Sequence, residues 1–176
     1  MSVAVAYTSR EREKIEVYKF SLPATILVPM LALLWQAFVP IKLRFLQEID
    51  VPLLVTIFMA VARRSPVGGL LTGAIIGMIQ DTLGHNPIGL FGIAKTVVGY
   101  AASSIGVKID VENPGSRFLL TTGFYLLHQG VYFVVARVLV RQTIDWRWGH
   151  TALLAVANAV FAVVLFAILD RLRQRS

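Results

Sequence analysis

Hydrophobic positions along this chain fall into long unbroken runs separated by short polar connections, and each run has the length of a helix rather than the two-residue alternation of a half-buried strand. The first, Ser21 to Ile41, is 21 residues without a charge. Pro23 stands where a helix start tolerates proline, and Pro29 predicts a bend. Two shorter runs follow, Val51 to Ala62 of 12 residues and Ser65 to Gln80 of 16, divided by Arg63-Arg64-Ser65-Pro66. That basic, proline-containing turn predicts a helical hairpin: two short or tilted spans, or a hairpin embedded in the membrane. A fourth run, Pro87 to Val107, carries one charge at Lys95 and ends at the hydrophilic patch Lys108 to Arg117, with its Pro114-Gly115 breaker. Phe118 to Ala136 gives 19 uncharged residues and Trp148 to Leu169 gives 22. The pattern predicts an all-α bundle of six membrane helices over 21–170, preceded by a charged cytoplasmic segment (1–20) and followed by a basic cytoplasmic tail (171–176).

Composition strengthens this reading. Of 176 residues 56% are hydrophobic and 15% charged, with a mean hydropathy of +0.69, whereas ordinary soluble domains carry roughly 25% charge. Six spans of about 20 residues use roughly 120 residues, which leaves no room for a globular catalytic domain. Cysteine is absent, which removes disulfides, thiolate metal sites and thiol catalysis together. The end of the first run, Gln36-Ala37-Phe38-Val39-Pro40, lacks a small-x-small cleavage pattern and is read as a retained helix rather than a signal peptide.

The formal charge of +7 reads as membrane topology. No basic face interleaved with exposed aromatics can be drawn, so nucleic acid is not an expected partner, whereas anionic lipid is. Counting Lys and Arg on alternate sides of a six-span chain gives 11 with both termini and 5 on the opposite side, Lys95 lying between. Both termini are therefore expected in the cytoplasm. Trp146 and Trp148 precede the last run in the headgroup position that indole rings favour.

In the third run Gly69, Gly73, Gly77 and Asp81 recur at intervals of four, which on a helix is one face. Residues without side chains allow another backbone to approach closely, so the face predicts a helix crossing, with a neighbour in the chain or with a partner. An acid at its end needs a partner or water. Asp81 either caps or terminates the hairpin or pairs with Lys95, which lies about 12 Å along a helix starting near Pro87; Lys95 could equally snorkel to the headgroups. Gly84, Asn86, Pro87 and Gly89 supply the turn between the two helices.

The run Arg63-Arg64-Ser65-Pro66, then Gly73-x3-Gly77-x3-Asp81, Gly89 eight residues on and Tyr100 near the end of the next helix resembles the signature hairpin of the rod shape-determining protein MreD family. The motif region, Arg63 to Ala101, covers 39 of the 176 residues; elsewhere length and hydropathy agree. Arg64, Pro66, Gly73, Gly77, Asp81, Gly89 and Tyr100 match the motif, and Lys95 lies outside it. The resemblance implies a bacterial inner-membrane scaffold of the elongasome without catalysis or cofactor. Its implied partners are the bitopic protein MreC and, in the same assembly, MreB, RodA and penicillin-binding protein 2. It also implies a fold similar to the substrate-binding subunits of energy-coupling factor transporters.

Gln36, His128, Gln129 and Asn158 sit near the middle of apolar runs and should turn inward. Contacts between helices, worth about 0.6 kcal/mol each, account for them; a solute cavity or proton path is the sharper alternative, and a transporter's small-solute-binding subunit the rival function. His85 and His150 lie in or beside loops, and the three histidines lack a second ligand at i+3 or i+4, which argues against zinc. Ser103, Ser104 and Ser116 have no Gly-x-Ser-x-Gly setting, and no phosphate-binding glycine loop is present. An enzyme is not expected.

Overall fold

The computed structural model describes residues 21–106, 113–143 and 145–172. The charged segment 1–20, positions 107–112 of the polar patch and positions 173–176 of the basic tail lie outside the described residues. Among the described residues six α-helices follow one another: α1 (Leu22–Lys42), α2 (Val51–Arg63), α3 (Pro66–Leu83), α4 (Leu90–Gly106), α5 (Pro114–Val138) and α6 (Trp148–Leu169). A 3-10 turn, Arg44–Glu48, links α1 to α2, and another, Asp170–Leu172, extends α6. Among the described residues there is no strand. The helix α1 runs uninterrupted through Pro29.

Local chemistry sets most of the helix starts. Ser21, Asp50, Ser65 and Asn113 each accept a backbone N–H of the following first turn, and Pro23, Pro52, Pro66 and Pro114 occupy its first or second position. A side-chain oxygen satisfies a donor that the helix cannot, and proline, lacking an N–H, adds none. Arg64 ends α2 in the left-handed region, at φ 52°, which turns the chain directly into Ser65 and α3.

The helix α2 is the axle of the bundle. Every residue from Val51 to Ala62 is buried, and α2 touches all five other helices. A helix apolar on every side requires such enclosure. Its 13 residues reach about 20 Å, short of a hydrocarbon core of about 30 Å. The outside is apolar as well: Leu31 and Phe38 on α1, Val67 and Leu71 on α3, Leu119 and Val134 on α5, and Val160 and Val164 on α6 are exposed. Two helical stretches, Pro114–Val138 and Trp148–Leu172, each of 25 residues, are long and apolar enough to cross a membrane.

Gly69, Gly73 and Gly77 form a seam against α4. A Cβ at these positions would fall on the carbonyl oxygens of Gly99, Lys95 and Phe91, and the reciprocal Cβ at Gly99 would fall on the carbonyl of Gly69. Gly69, Gly73 and Gly77 are all buried, so of the two crossings the sequence allowed, the one with a neighbour in the chain is the one made here. Gly89 does not join the seam; at φ +106° it holds a turn conformation that a side chain disfavours.

The seam predicts a contrast between two glycines of similar sequence context. Gly73→Ala forces the α3 and α4 backbones apart and should cost about 1–3 kcal/mol, lowering the melting temperature in detergent. Gly123→Ala, where nothing lies within 4 Å of the added carbon, should hold or raise it, since alanine is the better helix former.

Candidate functional site: a polar chamber at the head of the central helix

Asp50, on the two-residue link between the 3-10 turn and α2, is the organising residue. One carboxylate oxygen accepts the N–H of Leu53 at 3.0 Å and caps α2; the other accepts Lys95 Nζ at 2.5 Å. Lys95 has no exposed surface, and the Asp50 side chain is 14% exposed. Lys95 therefore neither snorkels nor pairs with Asp81 as the sequence suggested. Its partner lies 45 residues upstream, on a connection that reads in sequence as an ordinary loop. The ammonium also lies 5.2 Å from the centroid of Phe91, over its ring, a cation–π contact within the usual range.

Asn158, buried in the middle of α6, holds the same link. Its Oδ1 accepts the backbone N–H of Asp50 at 2.9 Å, while Nδ2 donates to the carbonyls of Glu48 and Leu154, both at 3.0 Å. An interior amide thus satisfies two backbone groups that no helix pairs, the contact-making role that the sequence weighed against a solute cavity.

Asp81 works elsewhere. Fully buried at the end of α3, it accepts the N–H of Gly89 at 2.9 Å, of Phe91 at 3.0 Å and of Gly92 at 3.1 Å. It caps the start of the following helix rather than its own, so the seam and the turn close as one unit. Gly89 N–H is one of the donors, and its positive φ belongs to the turn that presents it.

Above the head of α2 lies a chamber of about 220 Å³ lined by Gln36, Gln47, Glu48, Asp50, Gln80, Phe91, Tyr125, His128, Gln129 and Tyr132. A second hollow, of about 400 Å³, shares Gln36, Gln47, Gln80 and Phe91 with it and extends toward Gly84 and Asn86. Four buried polar atoms of the chamber residues make no hydrogen bond: Oε1 of Gln36, Oε1 of Gln80, and both ring nitrogens of His128. The His128 ring stacks on Phe91, with centroids 5.9 Å apart and planes at 10°, and Tyr132 adjoins both. Gln129 Nε2 donates to the hydroxyl of Tyr125 at 2.9 Å.

Of the residues singled out in the sequence, Gln36, His128 and Gln129 meet in this chamber, and Lys95 and Asn158 each bond to Asp50, which lines it. Arg64 and Pro66 sit at the opposite end of α2, in the turn to α3. Tyr100 is 53% exposed on α4. Sequence reasoning missed Asp50, Glu48, Gln47, Gln80, Tyr125 and Tyr132. The Asp50-x-Pro52 helix start was the available signal for Asp50; nothing local marks the others as neighbours. Ser103 donates to the carbonyl of Gly99 and Ser104 to that of Tyr100, both at 2.8 Å, so both serine hydroxyls are engaged within their own helix. Among the described residues no group of three His, Asp or Glu could hold a metal ion. No family model, curated protein or solved structure matches the chain.

Removing one member of the buried ion pair strands the other. Lys95→Met should destabilise the protein by about 3–5 kcal/mol, and adding Asp50→Asn, which keeps an oxygen to cap α2, should recover much of that loss. Thermal melts of the two single variants and the double variant test the coupling.

Proposed function

We propose that the chain is a non-catalytic integral membrane scaffold of the MreD type, working in the bacterial inner membrane through MreC to support rod shape and peripheral peptidoglycan synthesis. The observation that carries this reading is that the motif behind the resemblance forms one structural unit. Gly73 and Gly77 seat α4 against α3, Asp81 ties the start of α4, and Gly89 makes the turn. Residues used in this way favour a rigid shape over chemistry.

In this reading the apolar outer belt faces lipid, which agrees with the lack of any hydrophobic drive between helices there and with a seam that relies on close packing instead. All six helices then belong to the membrane. The 3-10 turn Arg44–Glu48 precedes the short α2, and in this reading a helix and a turn together complete the crossing. Arg63 and Arg64 lie on the cytoplasmic side with both termini, and the chamber opens outward. MreC meets the outer faces of the helices, since the glycine seam is taken, and exposed Tyr100 on α4 is the motif residue placed to touch it. MreB, RodA and penicillin-binding protein 2 join through that assembly.

The polar chamber favours a second reading, a small-solute-binding subunit of a transporter, because such a site needs a cavity with convergent polar groups. The two readings separate in a pull-down of the tagged chain from native membranes. The scaffold reading expects MreC to be recovered, and Tyr100→Ala to lower that recovery severalfold without lowering the melting temperature. Recovery of ATP-hydrolysing transport subunits in place of MreC would reject the scaffold and favour the transporter.

A further inference from the structure

We propose that the chamber above α2 binds a small organic cation, an ammonium group carried on a flat apolar body. The inference stands on the chamber alone and holds for a scaffold or a transport subunit. Buried polar atoms in folded proteins are paired almost without exception; here four of them lack a partner, all on Gln36, Gln80 and His128, three residues that line one cavity. His128 is 1% exposed and Gln80 8%, so the protein keeps them from bulk water while giving them no partner of its own.

The open atoms specify the complement. The two carboxamide oxygens accept only, and a neutral imidazole accepts at one ring nitrogen and donates at the other. Three acceptors against one donor call for a ligand rich in N–H groups, which an ammonium supplies and a carboxylate does not. Charge points the same way: two carboxylates, Asp50 and Glu48, line the chamber, and Lys95, paired with Asp50, balances one of them. The chamber's other walls are the carboxamides of Gln47 and Gln129 and the rings of Phe91, Tyr125 and Tyr132; Phe91 already carries His128 and Lys95, and the two tyrosine rings suit a flat body and attract a cation. The volume of about 220 Å³ limits the ligand to a small molecule.

Benzylamine is the probe, with benzyl alcohol and benzoate as matched neutral and anionic controls. Each is titrated against the full chain in neutral phosphatidylcholine nanodiscs and read by thermal shift and ligand-detected magnetic resonance. Benzylamine should bind saturably and raise the melting temperature, benzyl alcohol should bind about tenfold more weakly, a difference of roughly 1.4 kcal/mol, and benzoate should not bind. Gln80→Leu and His128→Phe remove open polar atoms, so the ligand-free melting temperature should hold or rise while benzylamine binding weakens about tenfold or more. Gln36→Leu, on a half-buried residue, gives the same reading should either variant fail to fold. Lack of saturable benzylamine binding, meaning a chamber that holds only water, would overturn the proposal. Equal binding of all three probes, or binding unaffected by the substitutions, would overturn it as well.

Discussion

A charge buried among apolar helices must meet its opposite, and in this protein the Asp50–Lys95 pair decides where the central helix begins. Lys95 enters from α4 with no exposed surface, and Asp50 answers it while capping α2. Asn158 then fixes the backbone on either side of Asp50 from α6. Asn158 is ten residues from the start of α6 and His128 ten from the end of α5, so the head of α2 stands about 15 Å inside the ends of those helices. A 13-residue helix held at that depth leaves space above itself. The polar chamber fills that space, a consequence of a short helix pinned by its first residues.

The rest of the architecture isolates this arrangement. The α3–α4 hairpin is joined by backbone against backbone along Gly69, Gly73, Gly77 and Gly99, and its turn is closed by three N–H groups on Asp81. Contacts of this kind tolerate little sliding, since any shift brings a carbonyl onto a Cα. Lys95 sits on the same α4 that the seam holds, so its register is set by the glycines and its charge is delivered to Asp50 from a fixed position. At the other end of the bundle Arg117 of α5 meets Asp170 at 2.6 Å, which joins the ends of α5 and α6. The outer belt is left to apolar side chains.

Much of the fold was legible in the sequence because each helix is a long apolar run bounded by a cap or a breaker. Ser65-Pro66 and Asn113-Pro114 state helix starts in two residues, and the four-residue glycine period states a crossing without naming the opposing helix. What the sequence withheld was pairing at a distance. Lys95 plainly needed an acid, and Asp81, inside the motif, was the nearer choice along the chain; the carboxylate that serves it is Asp50, two helices earlier in the chain. The chamber was half visible. Gln36, His128 and Gln129 stood out as polar residues in apolar runs, whereas Gln47, Glu48 and Gln80 lie at run ends where polar residues are ordinary. Only the height of α2, set by side chains from α4 and α6, brings them to one place.

A lipid-embedded bundle with a water-reachable notch over a short central helix, as proposed, can be tested directly. The native chain contains no cysteine, so single cysteines report on it without background. In sealed, oriented membrane vesicles, cysteines replacing Gln47 and Gln129 should react with a membrane-impermeant thiol reagent from the same side as one replacing Asn86, while cysteines replacing Leu71 and Val160 on the outer belt should stay unreactive. Reaction of the belt positions, or of Gln47 and Gln129 from the side that labels Ser65→Cys, would contradict it.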